Sequence, residues 1–436
     1  MQRYDVIVVG AGPAGATAAY SAARHGAKVL LLEEHTQIGR PIQCTGLLSL
    51  RGWRLARVSD SIIVREITGV RVHSPDGSVY ELGGDRVRAY VIDRDRFDQH
   101  LVERAARSGV AVRVGTRAVE LGPYEHGTRV LLTQTPAGAR EKLYASVIIG
   151  ADGPHSLLAQ QGGLPRPQKT LLGLQAVIAT PHLGPNPPDP LPGAGRGNSP
   201  PRVGEGLGER SRAREDFVEV FFGRRWAANF FAWSVPAAAG TARVGVATDL
   251  ISEAQACFER LRREYHRSGK ILVYQSGMIP IGPARRTVAD GFLIVGDAAG
   301  QAKPTSGGGI YTGMLCGKIA GEVAARCALA AKARARFLRE YEIRWRAQLE
   351  RELALGLRAY HVLSQLSDDE IAHALKLLAL PALRRLIERF GDIDYPSKIA
   401  RELLKRPRLW SAVWPVVPTG LAQYVKSVYR ATAEKL

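Results

Sequence analysis

The sequence predicts a mixed α/β (α+β) fold: a Rossmann-like nucleotide-binding domain, an antiparallel-sheet domain interleaved with it along the chain, and a helical C-terminal region. Three observations carry this expectation. An apolar run of strand length at residues 4–9 leads directly into Gly10, Gly12 and Gly15 and an alanine-rich segment. Short strand-like segments bounded by turn residues recur between residues 60 and 295. Beyond residue 333 the pattern turns mostly helical.

The first thirty-four residues are the most informative. Residues 4–9 (YDVIVV) read as a strand, residues 16–24 as a helix, and residues 28–32 (KVLLL) as a second strand that ends at Glu33 and Glu34. A lone GxGxxG is weak evidence. Here it follows a strand, opens a helix, and has an acidic residue 23 positions after its first glycine, which makes it a dinucleotide-binding fingerprint. Gly10 allows the tight turn, Gly12 lets backbone approach a pyrophosphate, and Gly15, next to Ala14, lets helix and strand pack closely. The helix N-terminus supplies free N–H groups, and Glu33 suits ribose hydroxyls.

Further along, residues 40–50 (RPIQCTGLLSL) read as a loop. Residues 60–83 alternate apolar and polar around a Pro75-Asp76-Gly77 turn, predicting a hairpin. A helix is expected over 97–108, strands at 110–114 and around Ala118-Val119, and another hairpin over 128–134 and 141–149. Residues 181–213, rich in Pro, Gly and Arg, are expected to be a flexible insertion. Strands resume at 217–222, 230–235 and 241–247, a helix at 254–268, and a buried strand at 291–295 before a long helix over about 308–331. Ser367 to Glu370 forms a capping box before 371–380, and 383–390 continues an amphipathic pattern. The implied division is 1–59, 85–165 and 285–332 for the nucleotide domain, 60–84 and 166–284 for the second domain, and 333–436 for the helical region.

Of the 60 basic residues 48 are arginine, and the net charge is +19. Such a charge suits an anionic partner, whether membrane phospholipid, a phosphorylated substrate or nucleic acid, or reflects a general preference for arginine. No nucleic-acid-binding motif accompanies it, so no nucleic-acid partner is expected. The four cysteines, Cys44, Cys257, Cys316 and Cys327, show no CxxC pair and no metal spacing, so no metal is expected and a reducing cytoplasm fits. The N-terminus enters a strand almost immediately, so no signal peptide is expected, and no apolar stretch reaches membrane-spanning length. The tail, residues 401–429, mixes basic residues with Trp410 and Trp414, which suits a membrane-facing lid or a helical cap on the body.

Three more glycine motifs match the first. Gly150-Ala151-Asp152-Gly153 follows an apolar strand, Gly296-Asp297-Ala298-Ala299-Gly300 follows another, and Pro304-Thr305-Ser306-Gly307-Gly308-Gly309-Ile310 opens a helix. In this order and spacing they resemble the FAD-dependent oxidoreductases of the aromatic-hydroxylase type. The resemblance implies that Asp297 hydrogen-bonds the FAD ribityl chain and that the amides of Gly308, Gly309 and Ile310 face the pyrophosphate and flavin edge. Positive potential there favours the anionic reduced flavin. It further implies that Arg94 sits near the FAD, that Ala118 or Val119 faces the adenine, and that Arg40, Cys44 and Asp152 belong to the cofactor site.

Finer features narrow the family. The segment 38–49 (IGRPIQCTGLLS) and Phe231-Ala232-Trp233-Ser234-Val235-Pro236 are similar to two motifs of geranylgeranyl reductases, with Phe231 standing where a tyrosine is usual. The resemblance covers nearly the whole chain and looks closest to the archaeal lipid branch. It implies saturation of isolated prenyl double bonds: hydride from the flavin to one carbon, a proton to the other. Trp233 and Phe231 suit the wall of a dry tunnel; Trp233 equally suits plain core. Cys44 suits a proton donor or gate beside the flavin, or merely a small buried filler. The electron donor implied is NAD(P)H or ferredoxin. The alternatives are a flavin monooxygenase of the same superfamily or a reductase acting on a chlorophyll-type prenyl substrate. Against a halogenase, no lysine lies between Lys28 and Lys142.

Overall fold

The computed structural model describes residues 2–167, 169–180, 215–238, 240–267 and 269–406. The expected insertion at 181–213 and all but the first residues of the expected tail lie outside these.

The N-terminal run forms β1 (Arg3–Val9), buried on both faces as the middle strand of a parallel sheet must be. α1 (Pro13–Arg24) opens with Pro13 in its first turn, where a missing N–H costs nothing, and ends on Arg24 at the negative end of the helix dipole. β2 (Val29–Leu32) returns parallel to β1, with Val6 opposite Val29. The expected loop at 40–50 ends in structure: β3 (Leu47–Ser49) and then α2 (Leu50–Ala56), whose first turn is capped by the Ser49 side chain accepting from Gly52 N.

β4 (Ile63–Ile67), β5 (Gly69–His73), β6 (Val79–Gly83) and β7 (Ala89–Ile92) follow. β5 and β6 form the expected hairpin around Asp76-Gly77. β4, within the same alternating stretch, goes elsewhere and pairs with β7, which also pairs with β3 in a three-stranded sheet. α3 (Arg94–Arg107) starts three residues before the expected 97, because the Asp93 side chain caps it by accepting from Arg96 N.

β8 (Ala111–Arg113) lies parallel to β2. β9 (Arg117–Glu125), β10 (Thr128–Gln134) and β11 (Arg140–Gly150) form a meander, and the long β11 continues as the parallel neighbour of β1. After α4 (Leu157–Gln161) come β12 (Lys169–Ala179), β13 (Phe217–Phe221), β14 (Ala232–Pro236), β15 (Thr241–Thr248), α5 (Ala254–Tyr265) and β16 (Ile271–Ile281). These strands and the β5–β6 hairpin build one seven-stranded sheet, β16-β12-β15-β14-β13-β5-β6.

β17 (Val288–Ala289) and β18 (Phe292–Ile294) return to the first sheet and complete the order β17-β18-β11-β1-β2-β8. α6 (Ile310–Leu329) then packs on α1 at very short range. A Cβ on Gly317 would lie 2.3 Å from Ala14 O, and one on Gly321 would lie 2.1 Å from Ala18 O, so only glycine permits this approach. The Ser21 hydroxyl donates to Lys318 O across the contact. α7 (Ala335–Leu363), α8 (Asp368–Leu375), α9 (Pro381–Phe390) and α10 (Ser397–Leu404) finish the described chain. The Ser367–Glu370 capping box is present with both hydrogen bonds.

Candidate active site

The glycine cradle between β1 and α1 is made of backbone meeting backbone. Gly10 has φ +100°, and a Cβ there would lie 2.2 Å from Ala151 O; one on Gly15 would lie 1.9 Å from Gly10 O. Gly12 is different. Its added Cβ would meet nothing within 4 Å, and as N-cap of α1 it provides no side-chain hydrogen bond. The first turn of α1 therefore points uncapped N–H groups at open space. Glu33 closes the other side, accepting from Ala11 N (2.9 Å), His35 N (3.0 Å) and His35 Nδ1 (2.6 Å). Ala14 packs against Gly296 and Gly313 and so joins α1 to the second glycine motif and α6.

A second uncapped helix start lies at Gly309, the N-cap of α6. A Cβ on Gly309 would approach Asp297 Oδ1 to 2.9 Å, so the Asp297 carboxylate lies against this helix end. Burial pushes the Asp297 carboxyl up to about 6, with Arg94 pulling the other way. Arg94 donates to both carboxylate oxygens of Asp98 (3.1 and 2.8 Å). Burial alone would lower its pKa; attraction to Asp98 and Cys44 outweighs that and raises it. Arg94, Asp297, Gly309 and Cys44, far apart in sequence, are thus one neighbourhood.

The remaining expected residues surround this line. Arg40 donates to Asp95 (2.6 Å) and is mostly exposed. Glu34 faces Arg117 at 3.5 Å. Ala118 and Val119 lie on β9, and Val119 O accepts from Gln161. The Asp152 carboxylate is occupied locally, by Ser156 Oγ (2.7 Å) and Leu158 N (3.4 Å) at the start of α4. Gly308 sits against Lys303.

An apolar groove, open to solvent, lies between Pro304 and Thr305 in the loop before α6 and the C-terminal end of α7. Phe222, Phe230 and Phe231 line one side, Tyr360 and Leu363 the other. Phe230 and Phe231 stack with centroids 4.3 Å apart, and Phe222 meets Phe231 at 5.9 Å. Of the two expected wall residues, Phe231 lines the groove. Trp233 lies behind it, 8% exposed, on top of Gly245, with Nε1 donating to Gln175 Oε1 (3.1 Å). Phe222 and Phe230 are additions to the expected set. Their signal was the doublets Phe221-Phe222 and Phe230-Phe231, which sit at strand ends: Phe221 closes β13 fully buried, while Phe222, Phe230 and Phe231 lie in the segments flanking β13 and β14 and reach the groove. Arg243 and Gln175, which hold the Cys44 turn, carried only a faint signal: a polar side chain inside an apolar strand.

Residues 3–184 match the model of the FAD binding domain family. A digeranylgeranylglycerophospholipid reductase of Methanothermobacter thermautotrophicus is 32% identical, the alignment covering 92% of this chain and all of that protein. The enzyme of the same name from Methanothrix thermoacetophila is 34% identical over 85% of this chain and 90% of its own length. This chain belongs to the digeranylgeranylglycerophospholipid reductase family. Among solved structures, a geranylgeranyl bacteriochlorophyll reductase-like protein of Thermoplasma acidophilum superposes with a TM-score of 0.78 at 23% identity, over 96% of this chain and all of that one, which shows a shared fold. Family membership and the FAD-binding domain make the chain an FAD-dependent reductase, and its residues fit that cofactor. The space before Gly12, the two uncapped helix starts and the Asp297 carboxylate, which accepts no hydrogen bond among the described residues, are the features a dinucleotide would satisfy.

Proposed function

We propose that this protein saturates carbon–carbon double bonds of geranylgeranyl chains on archaeal-type ether lipids. The observation that carries the reading is an aromatic, apolar groove that ends at the loop opening α6, beside a fitting FAD cradle, in a chain similar over its length to reductases of such lipids. Gly10 and Gly15 shape the turn and the space before Gly12 would admit the pyrophosphate at the start of α1; Glu33 would take ribose hydroxyls, Asp297 the ribityl hydroxyls, and the amides of Gly308 to Ile310 the flavin edge. Bound reduced FAD supplies the hydride that an unactivated alkene needs at one carbon. Phe231 and its neighbours exclude water and hold the chain flat. The Cys44 thiol gives its proton to the second carbon, is left as thiolate beside Arg94, and is reprotonated from water. General acid assistance of this kind contributes roughly 10² to 10⁴ in rate.

The decisive experiment is anaerobic incubation of the dithionite-reduced protein with digeranylgeranylglyceryl phospholipid, followed by mass spectrometry. Stepwise gains of two hydrogens are expected; a hydroxylated product formed only with oxygen would support a monooxygenase instead. NAD(P)H and reduced ferredoxin, offered separately, identify the donor by flavin bleaching.

The substrate's chains lie in a bilayer, and no helix among the described residues is long and apolar enough to cross one. The reading therefore includes peripheral attachment from the cytoplasmic side through charge. Each basic residue near anionic lipid contributes about 1 kcal/mol. Cosedimentation with vesicles should require anionic lipid and weaken with salt; equal binding to neutral vesicles would remove the electrostatic part.

A further inference from the structure

The turn carrying Cys44 is fastened by two polar side chains from the seven-stranded sheet. Cys44 O accepts from Gln175 Nε2 (3.4 Å), and Thr45 O accepts from Arg243 Nη1 (2.5 Å). The same Arg243 nitrogen donates to Ile92 O (3.2 Å), so one guanidinium ties the turn to the strand that leads into Arg94. Ile92 N in turn donates to Gly46 O (2.9 Å). Gly46 has φ +70°, and a Cβ there would lie 2.2 Å from Arg243 Nη1, so the guanidinium rests on bare backbone. Gln175 is 5% exposed; its amide also donates to Gln275 Oε1 (2.6 Å), and its carbonyl accepts from Trp233 Nε1. One buried amide therefore connects the ring behind the groove wall to the backbone of Cys44.

Arg243 makes no salt bridge to a carboxylate among the described residues, and burial lowers its pKa, with Cys44 and Asp93 opposing. Arg94 is a second guanidinium beside the same cysteine. Burying a charge to hold two carbonyls is expensive when neutral donors would do the same, so fastening alone does not account for an arginine at this place.

We propose that Arg243 and Gln175 are positioning residues for Cys44, fixing where its sulfur points, and that Arg243 joins Arg94 in placing positive charge beside that sulfur. The inference rests on the reading of Cys44 as the proton donor given above. A thiol that gives up its proton leaves negative charge, and two fixed guanidinium groups stabilise that charge without reorganising.

The test uses the FAD-loaded full chain with Arg243→Met, Arg243→Lys and Gln175→Leu. Flavin stoichiometry and the thermal transition establish that each variant folds. N-ethylmaleimide labelling, read at Cys44 by peptide mass spectrometry, reports the sulfur directly and does not depend on the substrate. Labelling at Cys44 is expected to change several-fold in Arg243→Met and Gln175→Leu and to return toward wild type in Arg243→Lys. Alkene reduction should lose kcat by roughly 100-fold, the scale of a misplacement of about 1 Å, with KM retained. Wild-type labelling and kcat in folded Arg243→Met and Gln175→Leu would overturn the proposal. So would lost activity with unchanged labelling, which assigns these residues another role. Altered labelling in a protein that reduces no prenyl lipid leaves the positioning intact and overturns the proposed reaction instead.

Discussion

The nucleotide cradle and the Cys44 turn are held by different means. In the cradle, backbone excludes backbone: Gly10 and Gly15 are required by contacts with Ala151 O and with Gly10's own carbonyl, all at the end of one strand–helix unit and its parallel neighbour. At the Cys44 turn, backbone is gripped by side chains lying 131 and 198 residues further along the chain. The first design tolerates almost no substitution and binds what any dinucleotide offers. The second depends on a few side chains rather than on bare backbone, so its grip can be altered one side chain at a time.

The sharpest test separates the glycines within the cradle. Gly12 has φ −66° and open space before it, so Gly12→Val should fold as the wild type and lose FAD completely. Gly10→Val and Gly15→Val should fail to fold. Absorbance at the flavin band and far-ultraviolet circular dichroism distinguish the two results. Stoichiometric flavin in Gly12→Val would move the pyrophosphate elsewhere.

At the turn, Cys44→Ser should keep FAD and its reduction by the donor while alkene saturation slows by roughly 10² or more. A wild-type rate with the same fully saturated product would leave Cys44 as packing.

Between the two regions stands Asp297. Its raised folded-state pKa means that the flavin-free fold binds a proton there more tightly than the unfolded chain. The associated stability is complete below the ordinary carboxylate range and is lost as pH rises through about 6. Hydroxyls donating to the ionised carboxylate have the opposite preference, so FAD affinity should strengthen as pH rises through about 6. Asp297→Asn should flatten this dependence and weaken binding roughly tenfold, the scale of a hydrogen bond to a charged group. Fluorescence titration across that pH range checks it; a flat wild-type profile would remove Asp297 from contact with the cofactor.

The smallest effect is expected at Trp233. Trp233→Phe removes its hydrogen bond to Gln175 and should cost about 1 kcal/mol in stability, read as a small fall in the thermal midpoint with FAD retained. A large loss of activity with unchanged stability would instead put this ring in contact with substrate.

The same contrast explains what the sequence disclosed. Glycine spacing is local, so β1, α1, β2 and the motifs at 150–153, 296–300 and 304–310 were legible as one nucleotide-binding arrangement. β12 and β16 were not. β12 lies between β15 and β16, so neither face gives a clean alternation, and Gly173 and Gln175 interrupt its apolar run. β16 carries Gly277 and Pro280, which read as breakers, although Pro280 sits near its end. Phe231 and Trp233 were legible as a pair. That one lines the groove and the other lies behind it depends on Gly245 across the sheet, which no local pattern shows. Arg243 gave only the faint signal of a polar side chain in an apolar strand, because its partners are carbonyl oxygens, which every residue has.

The close packing of α1 on α6 sets a schedule for making this protein. The Ser21–Lys318 hydrogen bond joins positions 297 residues apart. At roughly 5–20 residues per second, a ribosome needs about 15 to 60 s to cover that distance. Throughout that interval the alanine-rich side of α1, one of the earliest segments to emerge, has no cover. The nascent chain must be kept from sticking to its neighbours until α6 arrives, so polypeptides released before residue 310 should be insoluble even though they already contain the whole fingerprint.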